Sequence, residues 1–207
     1  VSYGTMIWGY VQHGDNLCAL RLFTKMQNEG TSSNNHIFSC TLKACGNIRH
    51  AQKGQELHGM IIREGLLEKN IMVGNALVDM YVKCGELLKA REVFNELWVR
   101  DVVSWNTLIT GYCDYGCSER ALKFFDEMQY EGIKPDRVTF LGALKACTNI
   151  LAYDYGRKIH VDIIAVDLEW GTFVGNALIN MYGKCGNLTD AKCVFERLPN
   201  QDIVAWN

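Results

Sequence analysis

Apolar residues recur along this chain at the spacing of an α-helix, and segment 102–136 shows the pattern most clearly. Its first half carries one apolar face at positions i, i+3, i+4 and i+7, formed by Trp105, Leu108, Ile109 and Tyr112. Its second half carries another, formed by Ala121, Leu122, Phe125 and Met128. Gly116 is predicted to separate the two helices, Ser118 to cap the second and Gly132 to end it. No segment alternates with period two for long, so the pattern predicts helix pairs and an all-α fold.

This helix pair is repeated along the chain. Residues 73–85 read VGNALVDMYVKCG and residues 174–186 read VGNALINMYGKCG, which agree at ten of thirteen positions, and similar matches extend over almost the whole chain. The predicted units are 1–34, 35–70, 71–101, 102–136, 137–171 and 172–202, and residues 203–207 would open a truncated seventh unit. One helix pair cannot bury both of its faces, so the pairs are expected to stack into an α-solenoid.

Composition narrows the function classes. The 21 basic and 23 acidic residues give a net charge of −2, which argues against a binder that relies on a broad basic face, though not against base-by-base readout of a single strand. No apolar run is long enough to span a bilayer, so no membrane partner is predicted. Nine cysteines without close framework spacing predict free thiols in a reducing compartment. The chain opens with VSYGTMIWGY, without Met or a secretory signal, so we expect it to begin inside a longer protein.

Two Cys–His combinations suggest a metal site, because Cys45 precedes His58 and Cys147 precedes His160 by thirteen residues each. Both cysteines also complete apolar helix faces, so we interpret each as a small buried core residue. The chain contains no C-x-x-C pair, no H-x-E deaminase motif and no phosphate-binding glycine loop. The sequence therefore predicts no metal, no cofactor, no small-molecule substrate and no catalytic residue.

Three kinds of unit carry a family resemblance. They read VVSWNTLITGY with ALKFFDEMQYEGIKPD, TFLGALKACTNI with GRKIH, and VGNALINMYGKCGNLTDAKCVF. With complete unit lengths of 36, 31, 35, 35 and 31, they resemble the P, L and S repeats of the pentatricopeptide repeat family, specifically its plant PLS subclass. Units 1–34 and 102–136 would be P-type, 35–70 and 137–171 L-type, and 71–101 and 172–202 S-type. The resemblance implies a right-handed α-solenoid that binds single-stranded RNA in mitochondria or chloroplasts, reading roughly one base per repeat.

In this family the fifth and the last residue of a repeat read the base. The resemblance therefore implies uridine readout by three Asn–Asp pairs: Asn75 with Asp101, Asn106 with Asp136, and Asn176 with Asp202. Ser39 with Asn70 would favour adenine weakly, whereas Gly4 with Asn34 and Leu141 with Gly171 would leave the base unspecified. An amide offers a donor and an acceptor side by side, which can meet the Watson–Crick edge of a pyrimidine. The implied target is unspecified, A, U, U, unspecified, U, from 5′ to 3′.

The resemblance assigns two further sets of contacts. The second residue of each unit would stack against bases: His36, Met72, Val103, Val138 and Phe173. Lys83 and Lys184, late in the first helix of their units, would contact phosphate.

Other interpretations stay open at this point. Asn75, Asn106 and Asn176 each lie near a helix start, where Asn often serves only as an N-cap. For the parent protein, recognition of C-to-U editing sites is the leading hypothesis for the subclass, with editing-complex proteins as further partners, and RNA stabilisation or splicing is the alternative. A protein-binding helical scaffold is the alternative from a different class. Substituting Asn106 and Asp136 together would change base preference only if RNA is the ligand.

Overall fold

The computed structural model of the protein describes residues 2–166, 168 and 171–198, and these residues form helices and no strand. The helices are α1 (Tyr3–Gln12), α2 (Asn16–Asn28), α3 (Asn35–Asn47), α4 (Ala51–Arg63), α5 (Leu66–Lys69), α6 (Ile71–Lys83), α7 (Leu87–Glu96), α8 (Val102–Asp114), α9 (Ser118–Tyr130), α10 (Arg137–Ile150), α11 (Tyr153–Ala165), α12 (Thr172–Lys184) and α13 (Leu188–Arg197). Twelve of them have ten to fourteen residues, and α5 is a single additional turn.

The chain divides into two compact parts, Val1–Leu108 and Ile109–Asn207. In the first, the leading helices of successive pairs, α1, α3 and α6, pack side by side, and α2 and α4 each bridge two of them. In the second, α10 packs against α12, while α11 contacts both. Within each of these two parts, a helix pair therefore buries its apolar faces against the neighbouring helices, as expected for stacked repeats.

The predicted apolar faces are the core. Trp105, Leu108, Ile109 and Tyr112 on α8, and the four predicted residues of α9, are all buried. Cys45 and Cys147 are fully buried, and burial raises the pKa of each thiol to about 12, which agrees with their interpretation as core residues.

Two local predictions are wrong. Ser118 is not the N-cap of α9, because Gly116, at φ +78°, turns the chain so that Cys117 occupies that place. The Ser118 hydroxyl is instead buried and accepts a hydrogen bond from Asn149 Nδ2 at 3.1 Å. The second error is the absence of α5 from the predicted helices. This turn begins after Gly65, which adopts φ +62°, and it lies in unit 35–70, the longest of the complete predicted units.

Candidate nucleic-acid interface

The last residue of a predicted unit caps the first helix of the next. Asn34, Asn70 and Asp136 stand at the N-caps of α3, α6 and α10, and each accepts a hydrogen bond from the backbone N–H group three residues later, at 2.9, 3.1 and 2.9 Å. Asp101, just before α8, accepts the same bond from Ser104 at 2.9 Å. These side chains are therefore held in place by the helix N-termini.

Asn75 is the fifth residue of α6 and lies inside the helix. Its Nδ2 donates a hydrogen bond to Asp101 Oδ1 at 3.1 Å, which joins two residues 26 positions apart. Asn106 and Asn176 also lie inside their helices, α8 and α12. The alternative that these three asparagines are N-caps is therefore wrong, because the cap positions belong to the residues before each helix.

Ser104 is the site residue that the sequence interpretation missed. It is fully buried, and its Oγ lies 2.6 Å from Asn75 Oδ1 and 2.9 Å from Asp101 Oδ1. The same Oγ accepts a hydrogen bond from the Asp101 backbone N–H at 3.2 Å. Ser104, Asp101 and Asn75 thus form one closed polar cluster. At the start of α10, Thr139 and Asp136 form the corresponding reciprocal capping box.

The carboxyl group of Asp101 stays ionised in this cluster. Partial burial by itself would raise its pKa, but hydrogen bonds from the Ser104 backbone, the Ser104 hydroxyl and the Asn75 amide outweigh that effect and hold the pKa below its ordinary value. An ionised carboxylate only accepts hydrogen bonds, so it must face donors.

The predicted stacking residues all project into solvent at the starts of the leading helices. His36, Met72, Val103, Val138 and Phe173 are exposed, and Met72 and Phe173 are 66% and 70% exposed. Burying such apolar side chains is favourable, so an aromatic base face is a suitable partner for them. The Arg137 guanidinium lies 5.9 Å from the Phe173 ring centroid, which adds a cation beside this ring.

In α3, α8 and α12 the fifth position of the helix is likewise a predicted reading residue: Ser39, Asn106 and Asn176. The Ser39 hydroxyl is buried and forms no hydrogen bond, so Ser39 and Asn70 are not joined in the same way. Asn106 is buried, with 8% of its surface exposed. Asp202, the predicted partner of Asn176, lies outside the described residues.

The two predicted phosphate contacts have different surroundings. Lys83 Nζ forms an ion pair with Asp79 Oδ2 at 2.7 Å, one helical turn earlier. Lys184 is exposed at the end of α12, and the residue one turn before it is the neutral Asn180. The same position in two related repeats therefore carries different local charge.

The histidines of the suggested metal combinations serve in packing. His58 Nδ1 and His160 Nδ1 form hydrogen bonds with the hydroxyl groups of Tyr81 and Tyr182 at 2.9 and 2.8 Å. Within residues 2–166, 168 and 171–198, no group of three His, Cys, Asp or Glu side chains is arranged to hold a metal ion. Among the same residues, no helix combines the length and apolar content that crossing a membrane requires.

Comparison with family models places these repeats. The model described as PPR repeat matches residues 1–31, 75–102 and 176–203, and the model described as PPR repeat family matches residues 100–149. The matches cover more than half of the chain. The chain belongs to the pentatricopeptide repeat (PPR) family. Asn75 and Asp101, which are in contact, both lie within the repeat that is matched at residues 75–102.

Relatives of this PPR chain include three Arabidopsis thaliana proteins. Pentatricopeptide repeat-containing protein At2g33680 is 36% identical over 207 residues, At4g25270, chloroplastic, is 37% identical over 206, and the putative At3g13770, mitochondrial, is 35% identical over 207. Each alignment covers 100% of this chain but only 28%, 38% and 33% of the relative. The chain thus spans about a third of the length of these proteins.

A solved structure confirms the fold class. This chain is similar in structure to the PPR protein PPR10, solved as a crystal structure in complex with an 18-nt psaJ RNA element. The alignment covers 94% of this chain and 27% of the PPR10 chain, with a TM-score of 0.69 and 20% sequence identity. The predicted all-α solenoid of stacked helix-turn-helix repeats is therefore correct.

Proposed function

We propose that this PPR chain binds single-stranded RNA sequence-specifically, with one repeat reading one base. The observation that carries the proposal is the contact between Asn75 and Asp101, the fifth and last residues of one unit. Units 71–101, 102–136 and 172–202 read uridine, and unit 35–70 reads adenine weakly. Similarity to PPR10, whose structure contains an RNA element, supports an RNA ligand.

The surroundings of Asn75 suit a base. Met72 and Val103, the second residues of two successive units, are both exposed, at the starts of α6 and α8. A base held against such apolar side chains is buried on its faces and offers its Watson–Crick edge to a polar side chain. The Asn75 amide can then pair with the N3–H and O4 groups of uracil through its oxygen and its N–H. In the structure Asp101 accepts a hydrogen bond from the amide nitrogen of Asn75 at 3.1 Å, so the fifth and the last residue are linked.

We further propose that the parent protein is a PLS-class RNA-processing factor in mitochondria or chloroplasts and that it recognises C-to-U editing sites. Support comes from the names of relatives, among which one is chloroplastic and another mitochondrial. The alternation of unit lengths 36, 31, 35, 35 and 31 supports the subclass.

An exchange of reading pairs tests the RNA proposal. The double variant Asn75→Ser with Asp101→Asn copies the pair Ser39 and Asn70, so it should shift the preferred base at that position from uridine towards adenine. Fluorescence anisotropy with RNAs that differ only at the third predicted position measures the shift. The matched control is Asn95→Ser, an exposed position on α7, which should leave the preference unchanged. If the double variant keeps the wild-type order of bases, readout by this pair is wrong.

A further inference from the structure

The edge of the Asn75 amide that a base would need is already occupied inside the protein. In a planar amide the oxygen and nitrogen are about 2.2 Å apart. Ser104 Oγ lies 2.6 Å from Asn75 Oδ1, Asp101 Oδ1 lies 3.1 Å from Asn75 Nδ2, and these two partners are 2.9 Å from each other. Partners on opposite sides of the amide would be about 7 Å apart. Both partners therefore lie along the single edge where the oxygen and an N–H point the same way.

The charge of Asp101 fixes the orientation of this amide. If the amide were flipped, Asn75 Oδ1 would face the carboxylate oxygen at 3.1 Å, and two acceptors would repel each other. The Ser104 hydroxyl has one proton, and its nearest acceptor is Asn75 Oδ1. The Asp101 backbone N–H donates to the same hydroxyl oxygen, and Asp101 Oδ1, 2.9 Å from that oxygen, is a second acceptor that shares the proton. Each atom of the amide edge thus has a partner within the protein.

A base cannot use this edge while the cluster is closed. Ser104 is fully buried, so a base cannot replace it where it stands. The Asn75 side chain must instead turn away from Ser104 and Asp101 before its oxygen and N–H can pair with uracil. Opening breaks the internal hydrogen bonds of Asn75, and pairing with uracil forms new ones. The stronger the internal hydrogen bonds are, the smaller the remaining preference for uridine.

We propose that Ser104 is a specificity-determining positioning residue, whose hydroxyl holds the Asn75 amide closed and lowers the uridine preference of unit 71–101. The proposal rests on the RNA readout proposed above and adds the third residue of the following unit to it. Removing the hydroxyl leaves Asn75 Oδ1 without its partner in the closed arrangement. The equilibrium between the closed and the open arrangement of Asn75 then shifts towards the open one by about one net hydrogen bond. This corresponds to a change in the equilibrium constant of roughly three- to tenfold.

The direct test compares binding of the 207-residue chain to two RNAs, with uridine or guanosine at the third predicted position. Ser104→Ala should raise the ratio of uridine to guanosine affinity about three- to tenfold. Ser104→Thr keeps the hydroxyl and should leave the ratio near the wild-type value. Thr107→Ala is the control for hydroxyl loss on the same helix, because Thr107 Oγ1 bonds only within α8, to the Val103 carbonyl at 2.8 Å. An unchanged or lower ratio in Ser104→Ala overturns the proposal.

Two additions keep the test decisive. If Ser104→Ala unfolds the chain, Ser104→Val replaces it, since valine has the shape of the threonine variant without the hydroxyl and stands naturally at the corresponding Val73. NMR hydrogen exchange of the Asn75 side-chain amide tests the closed cluster without RNA, with Asn75→Ala to assign the signal. Exchange should become three- to tenfold faster in Ser104→Ala and stay unchanged in Ser104→Thr, and equal rates in all three proteins overturn the proposal. If the wild-type chain shows no preference for uridine while the exchange rates of the three proteins differ as expected, the RNA readout is contradicted and the closed cluster is supported.

Discussion

The C-terminal ends of α6 and α12 carry the two predicted phosphate contacts, Lys83 and Lys184, and they differ in the residue one turn before the lysine. Lys83 lies 2.7 Å from Asp79, with 39% and 35% of the two side chains exposed, whereas Asn180 stands one turn before Lys184. Asp79→Asn makes the end of α6 resemble the end of α12. The substitution removes the carboxylate that faces Lys83, so the ammonium group becomes better able to contact a phosphate.

The expected magnitude follows from counterion release. Each phosphate contact with a single strand adds about −0.7 to the slope of log affinity against log salt concentration. Between 50 and 200 mM salt, a fourfold change, one such contact reduces affinity by about 2.6-fold and two reduce it by about sevenfold. Asp79→Asn should therefore steepen the slope by about 0.7 and tighten binding at low salt. Its effect on stability should be small, about 0.3–0.5 kcal/mol, because the ion pair is partly exposed and lies within one helix.

Anisotropy titrations at four salt concentrations measure the slope. Glu86→Gln is the matched control, since Glu86 pairs with Lys89 at 3.4 Å on the surface of the same repeat, with both side chains 41% exposed. It changes the net charge by the same amount, but the lysine that it pairs with, Lys89, is not a predicted phosphate contact. Equal slopes for Asp79→Asn and Glu86→Gln would refute the assignment of Lys83.

Packing, burial and capping give three more expected outcomes. Gly175→Ala should lower the free energy of unfolding by about 1–2 kcal/mol, because a Cβ there would lie 2.3 Å from Leu198 Cδ2. In the same helix, a Cβ at Gly183 would meet nothing within 4 Å, so Gly183→Ala should raise the free energy of unfolding by about 0.5–1 kcal/mol. Urea unfolding measures both, and equal shifts would contradict the packing argument. Burial lowers the pKa of His58, so the unfolded chain binds its proton more readily. Stability should fall as the pH drops below about 6.5, by at most about 1.4 kcal/mol per pH unit, and His58→Gln should remove that part of the loss in urea titrations at pH 7.5 and 5.5. Asp101→Ala should cost about 1–2 kcal/mol at pH 7, and because the folded-state pKa of Asp101 is lowered, the cost should shrink as the pH falls below about 4.

The helices could be predicted because each carries a continuous apolar face. The faces of α8 and α9 are buried residue for residue as the spacing predicts. The N-cap of α9 could not be predicted as well, because a one-residue shift in the turn after Gly116 decides whether Cys117 or Ser118 takes the cap. Ser118 was attractive as a cap by residue type, but its hydroxyl serves a buried contact with Asn149, which only the packing of two helices reveals.

Of the candidate site, the pair Asn75 and Asp101 could be predicted, whereas Ser104, which contacts both, could not. The family resemblance pointed to Asn75 and Asp101, and the structure joins them by a hydrogen bond. Ser104 was missed because its position varies among repeats and carries no fixed residue type. A signal was nevertheless present, since a hydroxyl residue stands three positions after Asp101 and Asp136, whereas the apolar Ile37 and Val73 follow Asn34 and Asn70. Read as capping boxes, these spacings would have placed Ser104 beside Asp101.

Base-dependent binding of the chain to its predicted RNA is the decisive measurement for sequence-specific readout. Anisotropy titrations would compare an RNA that carries uridine at the third, fourth and sixth predicted positions with one that carries guanosine there. If each lost pairing costs about 1 kcal/mol, affinity should fall about a hundredfold in total. Equal affinity for the two RNAs would contradict it.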